Sequence, residues 1–352
     1  MGQRALYGEP PARASFRVHA LVMMSYLRGA YYPRGGAQAL ADALVRAIEL
    51  TGGAVRVRAE VERILLEDGR AVGVRLRTGE EVRAPVVISN ADLWATFQRL
   101  IGAPRLPVAL AQRLQRVEPS LSGFNVYMGT DLDLAAMGLG SEHHWYLGSG
   151  SSVAWEVPPE EDDPAAIALP SAVMVSCPSL KDPGGKMAPP GHHVLQIFAL
   201  STYKHFRPWA DEPVMRRGAD YEQYKQRLAQ RLISFLESKL IPGLGAHCTA
   251  LEVGTPLSNE HYSHVTLGAC YGPALIPSQV GSNAFEAATA VPGLFLAGAN
   301  REPSSAAPLR SCSPRDGVLE TQRLPAHQSS RCPGRSGEAA TGHLRSSRTV
   351  RS

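Results

Sequence analysis

Apolar residues at helical spacing, Leu40, Ala43, Leu44, Ala47 and Ile48, are closed by Gly52-Gly53 and followed at once by runs with strand character. Those runs are Ala54–Arg58, Val61–Leu66 and Ala71–Leu76, with Gly69 and Gly79 marking the turns. A further apolar run, Val86-Val87-Ile88, ends at Ser89-Asn90-Ala91-Asp92. Helix, strand, hairpin and buried strand in that order predict an α/β layer with a small β-excursion inserted. The stripe predicts a helix from Ala37 to Leu50, packed on the sheet through Leu40, Leu44 and Ile48.

The character changes between about residues 101 and 285. Strand-like runs (Gly123–Met128, Ser171–Ser176, Val194–Ala199) alternate with loops rich in Pro, Gly and Asp, such as Pro158–Pro164 and Pro178–Gly191. One long helix is predicted from Tyr221 to Lys239, with Tyr224, Leu228, Leu232, Phe235 and Leu236 on its apolar side and Pro242-Gly243 as its stop. Val291 to Ala299 reads as a turn, a short buried strand and a glycine. Phe295 is the last aromatic residue. Residues 301–352 hold nine arginines, no lysine and four acids, with no apolar period, so disorder is expected there. That segment carries the basic excess; the rest of the chain is about neutral, and nucleic acid is not expected as a partner.

Several chemistries are excluded by what the sequence lacks. Gly138-Leu139-Gly140 is followed by His143, and Gly148-Ser149-Gly150 by Val153, so neither completes G-x-G-x-x-G, and both read as loops. Walker, metal-helix and nucleophile-elbow patterns are missing as well. The five cysteines are scattered without a C-x-x-C pair, which argues against a disulfide framework or a zinc site. His143-His144 and His192-His193 read as loop residues without acidic partners at ligand spacing, and no metal is expected. No run is long and apolar enough to span a bilayer, and the first residues show neither a signal-peptide core nor a myristoylation site.

Four segments in order carry a family resemblance: Tyr32-Pro33-Arg34-Gly35-Gly36 with its helix, Arg58 to Ile64, Val87 to Asp92, and Gly293 to Gly298. Together they resemble the later parts of the phytoene-desaturase superfamily, within it the branch of carotenoid isomerases and retinol 13,14-reductases. Ser176-Cys177-Pro178-Ser179-Leu180-Lys181-Asp182-Pro183 and Thr255 to Tyr262 lean towards the retinol-saturase side. The resemblance covers roughly residues 15 to 299 and breaks off at Asn300.

The resemblance implies a partial FAD-binding, Rossmann-like domain over residues 1–100. A mixed α+β substrate domain would follow over 101–285, then a returning strand of the FAD domain over 286–300 and the tail. It places Glu60 and Val61 at the adenine end of FAD, Ser89, Asn90 and Ala91 at a turn beside the cofactor, and Gly298 at the flavin. Val61 and Ile64 would equally be core in any α/β layer, and Asn-Ala-Asp would equally start a helix. Tyr31, Tyr32, Arg34, Gly35 and Gly36 are the candidates to line an apolar slot for a retinoid or carotenoid. The family's phosphate-binding turn and its flavin-facing last helix have no counterpart, so this chain reads as a fragment with weak or absent FAD binding. The implied chemistry is reduction of one polyene double bond. Poly-cis-carotenoid isomerisation, a desaturase-like reaction and an inactive fragment stand as alternatives. Peripheral contact with a membrane of the endoplasmic reticulum or plastid is implied by so insoluble a substrate.

Overall fold

The computed structural model describes residues 7–27, 29–147 and 172–300. The expectations for Gly148-Ser149-Gly150, for the loop 158–164 and for the tail 301–352 lie outside the described residues.

Two large hydrophobic cores, with two small clusters beside them, organise the described residues. The larger forms under a five-stranded antiparallel sheet of order β6-β7-β8-β5-β9, built from β5 (Ser122–Thr130), β6 (His143–Leu147), β7 (Ala172–Ser176), β8 (His193–Ser201) and β9 (Cys248–Gly254). Along β5, Phe124, Val126 and Met128 turn inward and are essentially without solvent exposure, while Tyr127 faces out, the two-residue alternation of a half-buried strand. The long helix forms as predicted over Ala219–Lys239 (α5) and covers this face with Tyr224, Leu228, Leu232 and Phe235. Phe206 stacks on Phe124 and meets Tyr224 at a tilt, and Trp209 packs on Tyr221 and Tyr224 while its Nε1 donates to Asp220 Oδ2 at 2.7 Å. The Trp209 indole is buried without losing its hydrogen bond.

The second core belongs to the first part of the chain. β1 (Val61–Glu67), β2 (Arg70–Leu76) and β3 (Glu81–Arg83) form an antiparallel three-stranded sheet, and β4 (Val87–Ser89) pairs in parallel with β10 (Leu294–Leu296). The Ala71 N–H donates to the Pro292 carbonyl at 2.8 Å and stitches the two sheets together. A π-helical turn, Ala95–Gly102, drives Phe97, Leu100 and Ile101 into this core beside Ile64, Leu294 and Leu296.

Three expectations fail. Residues 54–58 form no strand; Val55 and Val57 are exposed, and among the described residues no strand pairs with them. α2 (Gly36–Leu50) forms, but Leu40, Leu44 and Ile48 are 57%, 66% and 42% exposed, because no sheet face among the described residues lies against the stripe. His143 and His144 stand in β6, opposite Ser176 and Val175, and His193 begins β8; only His192 is a loop residue. β6, β9 and a further helix, α1 (Phe16–Leu27), were not evident from periodicity.

Candidate functional site

The carboxyl ends of parallel strands are where α/β sheets bind ligands, and here those ends bring Ser89, Asn90, Ala91 and Gly298 together. The Ser89 carbonyl accepts from the Ala297 N–H at 2.9 Å, fixing the register just before Gly298. Gly298 has φ +68°, which favours glycine, and a Cβ there would lie 1.8 Å from Asn90 Oδ1, so a side chain would strain the backbone and force the Asn90 amide to move. Gly272 approaches in the same way: a Cβ on it would lie 2.8 Å from the Ala299 carbonyl oxygen. Asn90, Ala91 and Gly298 are exposed, whereas Ser89 is buried, its hydroxyl 2.7 Å from that of Thr96. Its side chain is thus committed to the fold, and what this corner presents to a ligand is backbone and the Asn90 amide.

The next residue starts a helix, the alternative reading of this turn. Asp92 Oδ2 accepts from the Ala95 N–H at 3.1 Å and from Thr266 Oγ1 at 2.6 Å. Its Oδ1 is buried with no protein partner. A cleft of about 420 Å³ opens beside this turn, lined by Trp94, Arg99, Glu260, His264 and Thr266 among others. Tyr203 donates its hydroxyl to Glu260 Oε2 at 2.5 Å, and burial, with that carboxylate, pushes the phenol well above its ordinary pKa.

Glu60 and Val61 stand elsewhere, at the start of the antiparallel sheet. Val61 pairs with Leu76, and the Glu60 carbonyl accepts from the Arg77 N–H at 2.9 Å. Arg77 Nη1 also binds the Glu60 carboxylate at 2.8 Å and holds its pKa below the usual range. The side chain of Glu60 is therefore engaged by a neighbouring arginine, leaving the backbone at Val61 as the feature available to a ring.

The third group meets a partner distant in sequence. The Gly35 N–H donates to Asp182 Oδ2 at 2.6 Å, joining Tyr32-Pro33-Arg34-Gly35-Gly36 to the segment Ser176–Pro183. Lys181 Nζ lies 5.7 Å from the Tyr32 ring centroid, and a Cβ on Gly36, φ +73°, would lie 2.6 Å from Met187 Cε. Burial lowers the Lys181 pKa, an effect partly offset by Cys177 and Glu142. Ser179 pins this segment to β8: its Oγ accepts from the Val194 N–H at 3.1 Å and lies 3.1 Å from His193 Nδ1. Tyr31 is 90% exposed and Arg34 is exposed, so neither lines an enclosed slot among the described residues. Asp182, Lys181 and Met187 were not singled out as site residues from sequence; the first two lay within a motif already noted, and Met187 carried no signal.

The sequence profile of the flavin containing amine oxidoreductases matches residues 5–235. The chain belongs to this family. FAD is the cofactor of these oxidoreductases; at the corner of Asn90 and Gly298 a glycine at φ +68° leaves backbone exposed beside the Asn90 amide, polar groups of the kind its polar chain would need. Among relatives, the all-trans-retinol 13,14-reductase of Macaca fascicularis is 34% identical over 83% of this chain and 49% of its own length. The chloroplastic prolycopene isomerase of Daucus carota is 31% identical over 83% of this chain and 42% of its own. An inactive all-trans-retinol 13,14-reductase of Danio rerio is also 31% identical, over 75% of this chain and 44% of its own. The chain spans about half the length of these curated relatives. Among solved structures, an oxidoreductase from Methanosarcina mazei aligns with a TM-score of 0.49 at 18% identity, over 77% of this chain and 50% of that one.

Proposed function

We propose that this chain carries the substrate-facing part of a flavin-dependent oxidoreductase acting on a conjugated polyene, saturating one carbon–carbon double bond as the retinol 13,14-reductases do. The observation that carries the reading is the Gly35–Asp182 contact, which joins a segment of the family resemblance to a segment that leans towards the retinol-saturase side. Tyr32 and Met187, with Tyr31 and Arg34 at the rim, would orient the polyene by apolar contact, and Lys181 would fix its polar end. Backbone at Ser89, Asn90, Ala91 and Gly298 would hold the flavin side of FAD, and Glu60-Val61 the adenine side. Reduced FAD, when bound, would supply both the hydride and the proton that saturation of the double bond requires, becoming oxidised FAD; the protein would contribute orientation and exclusion of bulk water.

Affinity for FAD in this chain alone is expected to be weak, since no glycine-rich phosphate turn is encoded. So insoluble a substrate would be drawn from a membrane of the endoplasmic reticulum or plastid, reached from its surface. No helix among the described residues is long and apolar enough to cross a bilayer.

A second reading is isomerisation, favoured by the 31% identity to the carrot enzyme; a third is an inactive chain, as in the named zebrafish relative. The test is anaerobic incubation of the purified chain with excess photoreduced FAD and either all-trans-retinol or prolycopene. A gain of two hydrogens in retinol is the expected result. A prolycopene product of unchanged mass and altered spectrum would establish isomerisation, and unchanged substrates in both arms would leave the inactive reading.

A further inference from the structure

Two clefts meet along the short helix α3 (Val108–Gln115), where it faces the segment 277–290. Their volumes are about 390 Å³ and about 290 Å³, and they share Arg113, Ser282 and Phe285. Together they reach the size of small-molecule sites, roughly 300–1,000 Å³. Their linings differ in character. The first presents Arg113, Arg116, Ser278, Gln279 and Ser282. The second runs over Ala109, Leu110, Ala284, Phe285, Ala288 and Leu296. No acid lines the first, and Glu286, which is exposed, lines the second.

The polar cleft is built in advance of any occupant. Arg113 Nη2 donates to the carbonyls of Asn283 and Ala284, each at 2.8 Å, and its guanidinium carbon lies 3.9 Å from the Phe285 ring centroid. Carbonyl oxygens orient a guanidinium without cancelling its charge, and among the described residues no carboxylate pairs with this one. Arg116 follows three residues later on the same side of the helix. Its side chain is exposed and makes no hydrogen bond or ion pair among the described residues; the same is true of the Ser278 and Ser282 hydroxyls. The wall carrying those serines is braced. Gln279 Oε1 accepts from the Glu118 N–H at 2.7 Å, and its Nε2 donates to the Glu118 and Ala274 carbonyls at 3.0 and 2.9 Å. Asn283 Nδ2 donates to the Pro277 carbonyl at 3.2 Å. Groups fixed in this way lose little freedom when a ligand arrives.

Two guanidinium groups without a carboxylate, flanked by uncommitted hydroxyls, suit an oxyanion, and the apolar floor alongside suits a hydrocarbon body. Glu286 sets the polarity, since it repels an anionic head from the apolar end. We propose that the two clefts form one binding site for a small amphiphilic oxyanion, a hydrocarbon chain ending in a carboxylate or phosphate. Its head would meet Arg113 and Arg116, and its chain would lie over Leu110, Phe285 and Leu296. The inference is independent of the proposed activity, since it requires neither flavin nor polyene.

The test is calorimetric titration of the full chain. Octanoate and octyl phosphate are the complete probes; acetate and inorganic phosphate carry the head alone, and octan-1-ol the chain alone. The expected result is saturable binding of octanoate or octyl phosphate at one per chain, with the partial probes about tenfold weaker or more. Arg116→Gln should weaken binding by about tenfold or more, as expected for losing a charge-assisted hydrogen bond. Ala288→Glu should do the same by setting a charge where the chain lies. Both positions are exposed, so the urea midpoint should not move, and Arg105→Gln, at an exposed arginine outside both clefts, should bind as the wild type does. No saturable binding, a partial probe as tight as the complete one, indifference to both substitutions, or an equal loss in Arg105→Gln overturns the proposal. So does sedimentation with phosphatidylserine vesicles when neither free probe binds, because the occupant is then a lipid surface.

Discussion

In the five-stranded layer, β5 has a strand on each edge and a twenty-one-residue helix over its inner face; among the described residues of the first part of the chain, β4 has one strand neighbour and the stripe of α2 lies in solvent. Both helices are amphipathic in sequence, and both form. The difference lies in what faces the stripe. α5 meets Phe124, Val126 and the aromatic group around Phe206 and Trp209, whereas the side chains of Leu40, Leu44 and Ile48 end in solvent. A helical period thus records the intention to bury a face, and burial itself is a separate event that needs a second surface.

Emptying each core tests that contrast most strongly. Phe97→Ala removes a ring that is 0% exposed in the smaller core and should destabilise by about 3–5 kcal/mol, read from urea unfolding. A shift under about 1 kcal/mol would mean that the first part of the chain has no cooperative core of its own. Leu232→Ala, at a fully buried position of α5, should cost about 2–5 kcal/mol in the same measurement; a negligible change in midpoint would show α5 to be peripheral.

Smaller changes probe the junctions. Asp182→Ala deprives the Gly35 N–H of its acceptor and should cost about 1–2 kcal/mol, with faster exchange of the Gly35 amide. An unchanged amide would show that the two motif segments do not depend on each other. Gly298→Ala, at φ +68° and against Asn90 Oδ1, should cost about 1 kcal/mol or more and displace the Asn90 amide resonances. Leu44→Ala is placed last: a change within about 0.5 kcal/mol is expected from an exposed site, and a loss of 2 kcal/mol would show α2 to be covered after all.

Local signals suffice where the chain carries both a period and a punctuation mark. The hairpin of β1 and β2 turns at Gly69, and α5 ends at Lys239 ahead of Pro242-Gly243, each within a residue or two of expectation. β6 gives no strand signal because His143-His144-Trp145-Tyr146-Leu147 has no polar alternation; its pairing with β7 makes it a strand. Residues 54–58 show the reverse, a strand-like run that no partner completes. The candidate site divides along the same line. Ser89, Asn90, Ala91 and Gly298 were legible as turn and glycine positions, but only the parallel pairing of β4 with β10, two hundred positions apart in order of magnitude, sets them side by side.

The sequence by itself determined the α/β character, the sites of the principal helices and turns, the family, and the absence of a glycine-rich phosphate turn. All of these are written in spacing and residue type over short windows. The tertiary structure alone decided that Asp182 holds Gly35 across 147 positions, that Arg77 engages the Glu60 carboxylate, and that the stripe of α2 is bare. The physical reason is that a hydrogen bond or a buried face is a property of two surfaces, and a one-dimensional pattern specifies only one of them.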